Sequence, residues 1–185
     1  MPTPKTLVTG GAGFIGSHVV DRLLELGHQV VVVDDMRSGR LSNLSPDVTL
    51  YQTDIADPAL EAVFREERPE LVCHYAAQIS VPDSMKDPMG DAESNVRGSL
   101  NLFQNCVQFG VKKVVYTSSG GAIYGEPRYL PCNEGHPIQP LSHYGVSKYA
   151  VENYLYVYRL SHGLDYTILR LSNVYGPRQD PSGEA

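Results

Sequence analysis

A chain of 185 residues with 15 Lys+Arg against 21 Asp+Glu, 42% apolar and 19% charged, has the size and composition of one soluble globular domain. It is long enough to bury a core without disulfides or a structural metal, which excludes a stapled miniprotein. The net charge of −6, with no Lys/Arg cluster longer than Lys112-Lys113, argues against nucleic acid as a partner.

Short apolar runs alternate with helical patterns along the chain. Lys5 to Thr9 reads as a strand and Phe14 to Leu26 as a helix, with Ile15, Val19, Leu23 and Leu26 on one face and Gly27 as its stop. Gln29 to Asp34 is apolar without alternation, as expected of a strand buried on both faces of a parallel sheet. Further strands are expected at Thr49 to Thr53, Leu71 to Tyr75, Lys113 to Thr117 and Asp165 to Leu171. Helices are expected at Asp57 to Glu67, Asp91 to Phe109 and Ser142 to Ser161. Pro127, Pro131, Pro137 and Pro140 make Gly125 to Leu141 a long irregular loop. This order predicts an α/β fold, a doubly wound parallel sheet of the dinucleotide-binding (Rossmann) kind over residues 1–185, with its ligand crevice beyond the carboxyl ends of the strands.

Between the first strand and first helix, glycines stand at 10, 13 and 16 in Thr9-Gly10-Gly11-Ala12-Gly13-Phe14-Ile15-Gly16. Gly10 permits a tight turn, Gly13 lets main-chain N–H groups reach a pyrophosphate, and Gly16 lets helix and strand pack closely. Asp34 falls about 20 residues beyond the glycines, at the end of the second strand, where a carboxylate can accept from ribose hydroxyls. The Asp34-Asp35 pair repels a 2′-phosphate and favours NAD over NADP, although Arg37 and Arg40 nearby leave NADP open. Asp54-Ile55 either brackets an adenine or forms the N-cap region of the next helix.

Tyr144 and Lys148 are four residues apart on one helix face. A free tyrosine has a pKa of about 10, so service as a base near neutral pH needs a cation that favours the phenolate, which Lys148 supplies. Ser119, with Ser118 next, is the candidate hydroxyl at the end of the fifth strand. The alternative is that these small residues only satisfy backbone groups. His18, His28, His74, His136, His143 and His162 have no ligand spacing, so no metal site is expected. Cys73, Cys106 and Cys132 form no CxxC motif and no even set, which fits a reducing, cytoplasmic setting. Apolar runs such as Val30 to Val33 are far short of the ~20 residues of a membrane span.

Taken in order, TGGAGFIGSH at 9 to 18, DDMRSGRLSNL at 34 to 44, HYAAQ at 74 to 78, NVRGSLNL at 95 to 102, SSGGAIYGE at 118 to 126, YGVSK at 144 to 148 and NVYGPRQ at 173 to 179 resemble the extended short-chain dehydrogenase/reductase superfamily. Within it the chain is most similar to the NAD-dependent epimerase/dehydratase family, nearest the nucleotide-sugar epimerases typified by UDP-glucose 4-epimerase. The resemblance implies that Phe14 and Ile15 contact the pyrophosphate. It assigns Asp34, Asp35, Met36, Arg37, Ser38 and Gly39 to the adenosine ribose, Asp54 and Ile55 to the adenine, and Tyr75, Ala76, Ala77, Gln78 and Ile79 to the cofactor's middle. Asn95 would support the site, Tyr144 would be the base, Lys148 would hold the nicotinamide ribose, Ser172 would face the nicotinamide, and Asn173 would meet the substrate's phosphates.

Many members carry a third hydroxyl where this chain has Gly120, so the resemblance puts the catalytic hydroxyl on Ser119, with Gly120 beside the substrate. Gly120-Gly121 also lacks the acid pair that sugar dehydratases place here. The implied activity is 4-epimerisation of a UDP-hexose of the glucose/galactose type by a homodimer. Family enzymes continue into a C-terminal substrate domain, so this chain reads as an N-terminal portion. The alternatives are an NAD- or nucleotide-binding module without turnover and a related nucleotide-sugar or hydroxysteroid-type oxidoreductase.

Overall fold

The computed structural model describes residues 3–180; the expected domain of 1–185 runs past these limits at both ends. In chain order the elements are β1 (Lys5–Thr9), α1 (Phe14–Glu25), β2 (Gln29–Asp34), β3 (Thr49–Gln52), α2 (Leu60–Glu67), β4 (Leu71–His74) and α3 (Val81–Lys86). There follow α4 (Pro88–Ala92), a single π-helical turn (Glu93–Arg97), α5 (Gly98–Gln108), β5 (Lys113–Ser119), α6 (Gly120–Ile123), α7 (His143–His162) and β6 (Asp165–Leu171). All strands run parallel in the order β3-β2-β1-β4-β5-β6. Chain order reverses between β1 and β4, where the crevice of a doubly wound sheet opens.

Alternate residues of β1 and β2 explain their unbroken apolar pattern. Leu7, Val31 and Val33 join Phe64, Leu102, Phe103 and Leu155 in one buried layer, while Val8, Val30 and Val32 pack with Val20 of α1 in the other. A strand covered on both faces has no polar side to show. β6 is an edge strand and stays half-buried along its whole length.

The elements differ from the sequence reading mainly at their ends. The helix expected from Asp57 begins at Leu60, because the Asp57 carboxylate accepts from Ala59 N–H at 2.8 Å and closes a separate turn first. The helix expected over 91–109 starts at Pro88, capped by Asp87, and is interrupted by the π turn. The short α3, capped by Ser80, and α6 carry too few residues for a periodic signal. β5 runs two residues further than expected because β6 pairs with it as far as Ser119↔Leu171. Among the described residues no helix is long and apolar enough to cross a membrane.

Candidate functional site

A cleft of about 970 Å³ lies along the carboxyl ends of the strands. Its floor begins at Gly10, whose φ of +68° turns the chain sharply from β1 toward α1 and whose missing Cβ, which would sit 2.6 Å from Ala76 N, lets the backbone after β4 come close. A Cβ on Gly16 would stand 2.1 Å from the Gly10 carbonyl oxygen, so only glycine lets α1 start this close to β1. Gly13 is the N-cap of α1 and supplies no side-chain cap, which leaves first-turn N–H groups for an anion. Gly13, Phe14, Ile15 and Gly16 all line the cleft.

Asp34 closes the far end of this turn. Its carboxylate accepts from Ala12 N–H and Met36 N–H, each at 2.9 Å, and burial raises its pKa despite those bonds. Asp35 accepts from the Arg37 backbone at 2.9 Å and from its guanidinium, and Arg37 reaches across to Asp54 at 2.6 Å. Arg40 pairs with Asp180 at 3.2 Å. Both arginines that left NADP open are thus bound by carboxylates. Asp54 also accepts from Ala56 N–H at 2.8 Å, closing a turn rather than capping α2, whose N-cap is Ala59. Asp34, Asp35, Arg37, Ser38, Asp54 and Ile55 line the cleft. Met36 and Gly39 do not: Met36 turns with φ +64°, and Gly39 packs against Asp34 and Ala12.

The middle of the cleft is Tyr75 to Ile79, following β4. Thr9 Oγ1 accepts from Ala76 N–H at 3.2 Å and lies 2.7 Å from His74 Nδ1. Ser99 Oγ donates to the Asn95 carbonyl at 2.5 Å and so accepts from His74 Nε2 at 2.9 Å. Complete burial pushes the His74 pKa down to about 3, so the ring is neutral, and with Nε2 donating to Ser99 its Nδ1 accepts from Thr9 Oγ1. Asn95 is buried behind the wall, outside the cleft: its Oδ1 accepts from Gln78 N–H at 2.8 Å and its Nδ2 donates to Gln78 O at 2.9 Å.

Tyr144 and Lys148 stand in the first turns of α7, which Ser142 caps by accepting from Gly145 N–H at 3.1 Å. The Lys148 ammonium lies 5.8 Å from the Tyr144 ring centroid and 5.0 Å from that of Tyr116, and donates to Thr117 O at 2.8 Å. Burial lowers its pKa to about 8, opposed by the charges of Asp91 and Glu152. Ser119, at the end of β5, and the more deeply buried Ser118 both line the cleft, and Ser118 Oγ has no hydrogen-bond partner among the described residues. Gly120 faces the carbonyls of Arg170 and Leu171 instead, while Gly121, Ser172 and Asn173 form the rim. Arg170 braces the proline-rich loop, donating to Tyr124 Oη at 3.0 Å and Glu134 O at 3.2 Å while pairing with buried Glu152 at 2.7 Å. Among the described residues no three His, Cys, Asp or Glu side chains are placed to hold a metal.

Residues 6–185 match the NAD dependent epimerase/dehydratase family. The chain belongs to this family. It is 49% identical over 186 residues to the UDP-glucose 4-epimerase of Mycolicibacterium smegmatis, covering 98% of this chain and 59% of that protein. Among solved structures, the UDP-glucose 4-epimerase of Thermotoga maritima with UDP-glucose superposes with a TM-score of 0.95 at 50% identity, over 98% of this chain and 59% of the other. That of Thermus thermophilus with NAD gives 0.94 at 50% identity, over 97% and 58%. The chain therefore spans somewhat under two thirds of these relatives. Thr9, His74, Ser99 and Ser147 sit inside the quoted motifs without a role read for them there, and Asp91 and Glu152 lie outside every motif; burial and long-range partners reveal all six as supports of the site.

Proposed function

We propose that this chain is the cofactor-binding part of an NAD-dependent nucleotide-sugar 4-epimerase of the UDP-glucose/UDP-galactose type. The observation that carries the reading is one cleft that holds, at one end, an uncapped helix N-terminus over a glycine turn and, at the other, the Tyr144–Lys148 pair. The glycine cradle and the partnerless Ser118 hydroxyl fit a bound dinucleotide. When bound, NAD supplies a reversible acceptor for the C4 hydride, so that a 4-keto sugar re-reduced on its other face inverts C4 without net redox change.

The chain's own residues would divide the work by position. First-turn N–H groups of α1 at Phe14 and Ile15 bind the pyrophosphate, Asp34 accepts from the adenosine ribose, and Asp54 and Ile55 border the adenine. Tyr75 to Ile79 line the middle, and Lys148 uses its remaining N–H bonds on the nicotinamide ribose. Tyr144 takes the proton of the sugar 4-OH, aided by the neighbouring cation, and Ser119 hydrogen-bonds the same oxygen and relays the proton. Ser172 would face the nicotinamide and Asn173 the substrate's phosphates.

The same reading makes the assembly a cytoplasmic homodimer, consistent with three free thiols and with Tyr156, Val157 and Leu160 exposed along α7. Light scattering of the purified chain should then give twice the monomer mass. Function is tested by calorimetric titration with NAD, followed by UDP-galactose and an assay for UDP-glucose. Binding with turnover supports the epimerase. Binding without it supports a cofactor-binding portion whose sugar contacts lie elsewhere, and NADH accumulating on turnover would replace the epimerase with an oxidoreductase.

A further inference from the structure

The Asp91 carboxylate is 2% exposed, lies outside every sequence motif of the site, and has no Lys or Arg within salt-bridge distance among the described residues. Its oxygens are met by three neutral donors. Asn95 Nδ2 and Gln78 Nε2 approach Oδ1 at 3.0 and 3.3 Å, and Ser147 Oγ approaches Oδ2 at 2.6 Å. A buried anion kept at the cost of dehydration needs such partners, and these come from the two walls of the cleft. Gln78 belongs to the cofactor wall and Asn95 is bonded to its backbone from behind, whereas Ser147 lies between Tyr144 and Lys148 on α7. The π turn at Glu93–Arg97 places Asn95 one helical step from Asp91, so both side chains face Gln78.

Resting on the reading of Tyr144 and Lys148 as the proton-handling pair, we propose that Asp91 is a positioning residue of this site. It fixes the Ser147–Lys148 turn of α7 against the Gln78–Asn95 wall and supplies a buried negative charge for the Lys148 ammonium. Lys148 is 5% exposed, at the cleft wall, and this burial disfavours its charged form. The charged and titratable groups around it are few. Asp91 from α4 and Glu152 from α7 favour its charge, Tyr144 and Tyr116 present ring faces from α7 and β5, and neutral His74 stands on β4. Glu152 is already engaged by Arg170 at 2.7 Å, so part of its charge is spent on β6. Asp91 has no such cation and is left to act on Lys148.

The experiment follows the Lys148 side chain directly, by carbon-13 NMR of the lysine ε-carbons in the cofactor-free 185-residue chain, with the Lys148→Arg variant assigning the signal. The wild-type midpoint is expected near 8. Asp91→Asn keeps the shape and, with its oxygen toward Ser147, that acceptor; it removes the charge, leaves the Asn95 and Gln78 amides to turn away from the new NH2, and should lower the midpoint by about one pH unit. It should also weaken NAD binding several-fold at neutral pH. A folded Asp91→Asn chain with an unchanged midpoint overturns the proposal, because a purely structural pin would leave Lys148 alone. Ser147→Ala keeps the charge and removes one bond, so its midpoint should stay within about 0.3 unit of wild type. A fall as large as that expected for Asp91→Asn would overturn the proposal even where Asp91→Asn does not fold. Midpoints that shift as expected in the variants of a chain that takes no NAD would support the Asp91 assignment and overturn the cofactor reading alone.

Discussion

Between β1 and β3 the cleft is walled mostly by backbone: a glycine turn, uncapped N–H groups of α1, and an aspartate held by two main-chain donors. Between β4 and α7 its wall is backed by buried side chains, with His74, Asp91, Ser99, Asn95, Ser147 and Lys148 drawn from five elements. The first half needs residue types that permit a shape, so substitutions there act by collision. The second half needs charges and donors in fixed relation, so substitutions there act through protonation and orientation.

The largest contrast should come from removing one oxygen in the second half. Tyr144→Phe leaves the ring and its contact with Lys148 but takes away the proton acceptor. In the chain extended to the length of its relatives, turnover should fall by at least about 10³-fold, within the range for general base removal, while NAD affinity stays within about twofold. A variant that still epimerises at a comparable rate would remove Tyr144 from its role. The corresponding test of the first half is Gly16→Ala, whose new methyl meets the Gly10 carbonyl backbone at 2.1 Å. Urea unfolding should show a loss of about 2–4 kcal/mol, and NAD affinity should drop at least about tenfold. Unaltered stability would show that α1 can slide away from β1 and that the turn is less constrained than its geometry.

The same division explains what the sequence disclosed. The alternation of strands and helices, the glycine turn, Asp34 at a strand end and the Tyr144–Lys148 spacing are legible because each rests on a local pattern: a strand–turn–helix, a carboxylate at a strand end, two residues one helical turn apart. The Asp91–Ser147 bond joins residues 56 apart, and Thr9 meets His74 across 65, so no window along the chain could contain either. His74 reads as an idle histidine until β1 and β4 are paired at Thr9↔His74. The π turn was invisible for a related reason, since it changes which neighbours a residue meets without altering the apolar pattern. Ser119 and Ser118 remain two neighbouring hydroxyls in one cleft, and the choice between them rests on reach toward a bound sugar.

Acid pH should separate the halves further. His74 enters the fold neutral with its pKa lowered from 6.5 to about 3, so the unfolded chain binds a proton more readily. The stability it contributes is fully present above pH 6.5 and is lost as pH falls from there toward 3, by about 1.4 kcal/mol per unit at the steepest. His74→Asn cannot titrate and should flatten that part of the curve relative to wild type, measured by urea unfolding at pH 7 and 5. Parallel curves would mean that carboxylates elsewhere account for the acid response.

The smallest effect is expected where side chains of the first half reach solvent. Arg37 is two-thirds exposed, and its bonds to Asp35 and Asp54 are screened, so breaking them should change stability by less than about 1 kcal/mol. Their consequence lies in selectivity. Two carboxylates occupy the guanidinium and add negative charge beside Asp34, which together oppose a 2′-phosphate. Replacing Asp35 and Asp54 with Asn frees Arg37 for a phosphate while leaving Asp34 on its main-chain donors, so calorimetry should show NADP gaining about 3- to 10-fold on NAD. An unchanged ratio would assign the discrimination to Asp34 alone, whose buried carboxylate no Lys or Arg among the described residues pairs with, and would return the whole first half of the cleft to recognition by backbone shape and a single charge.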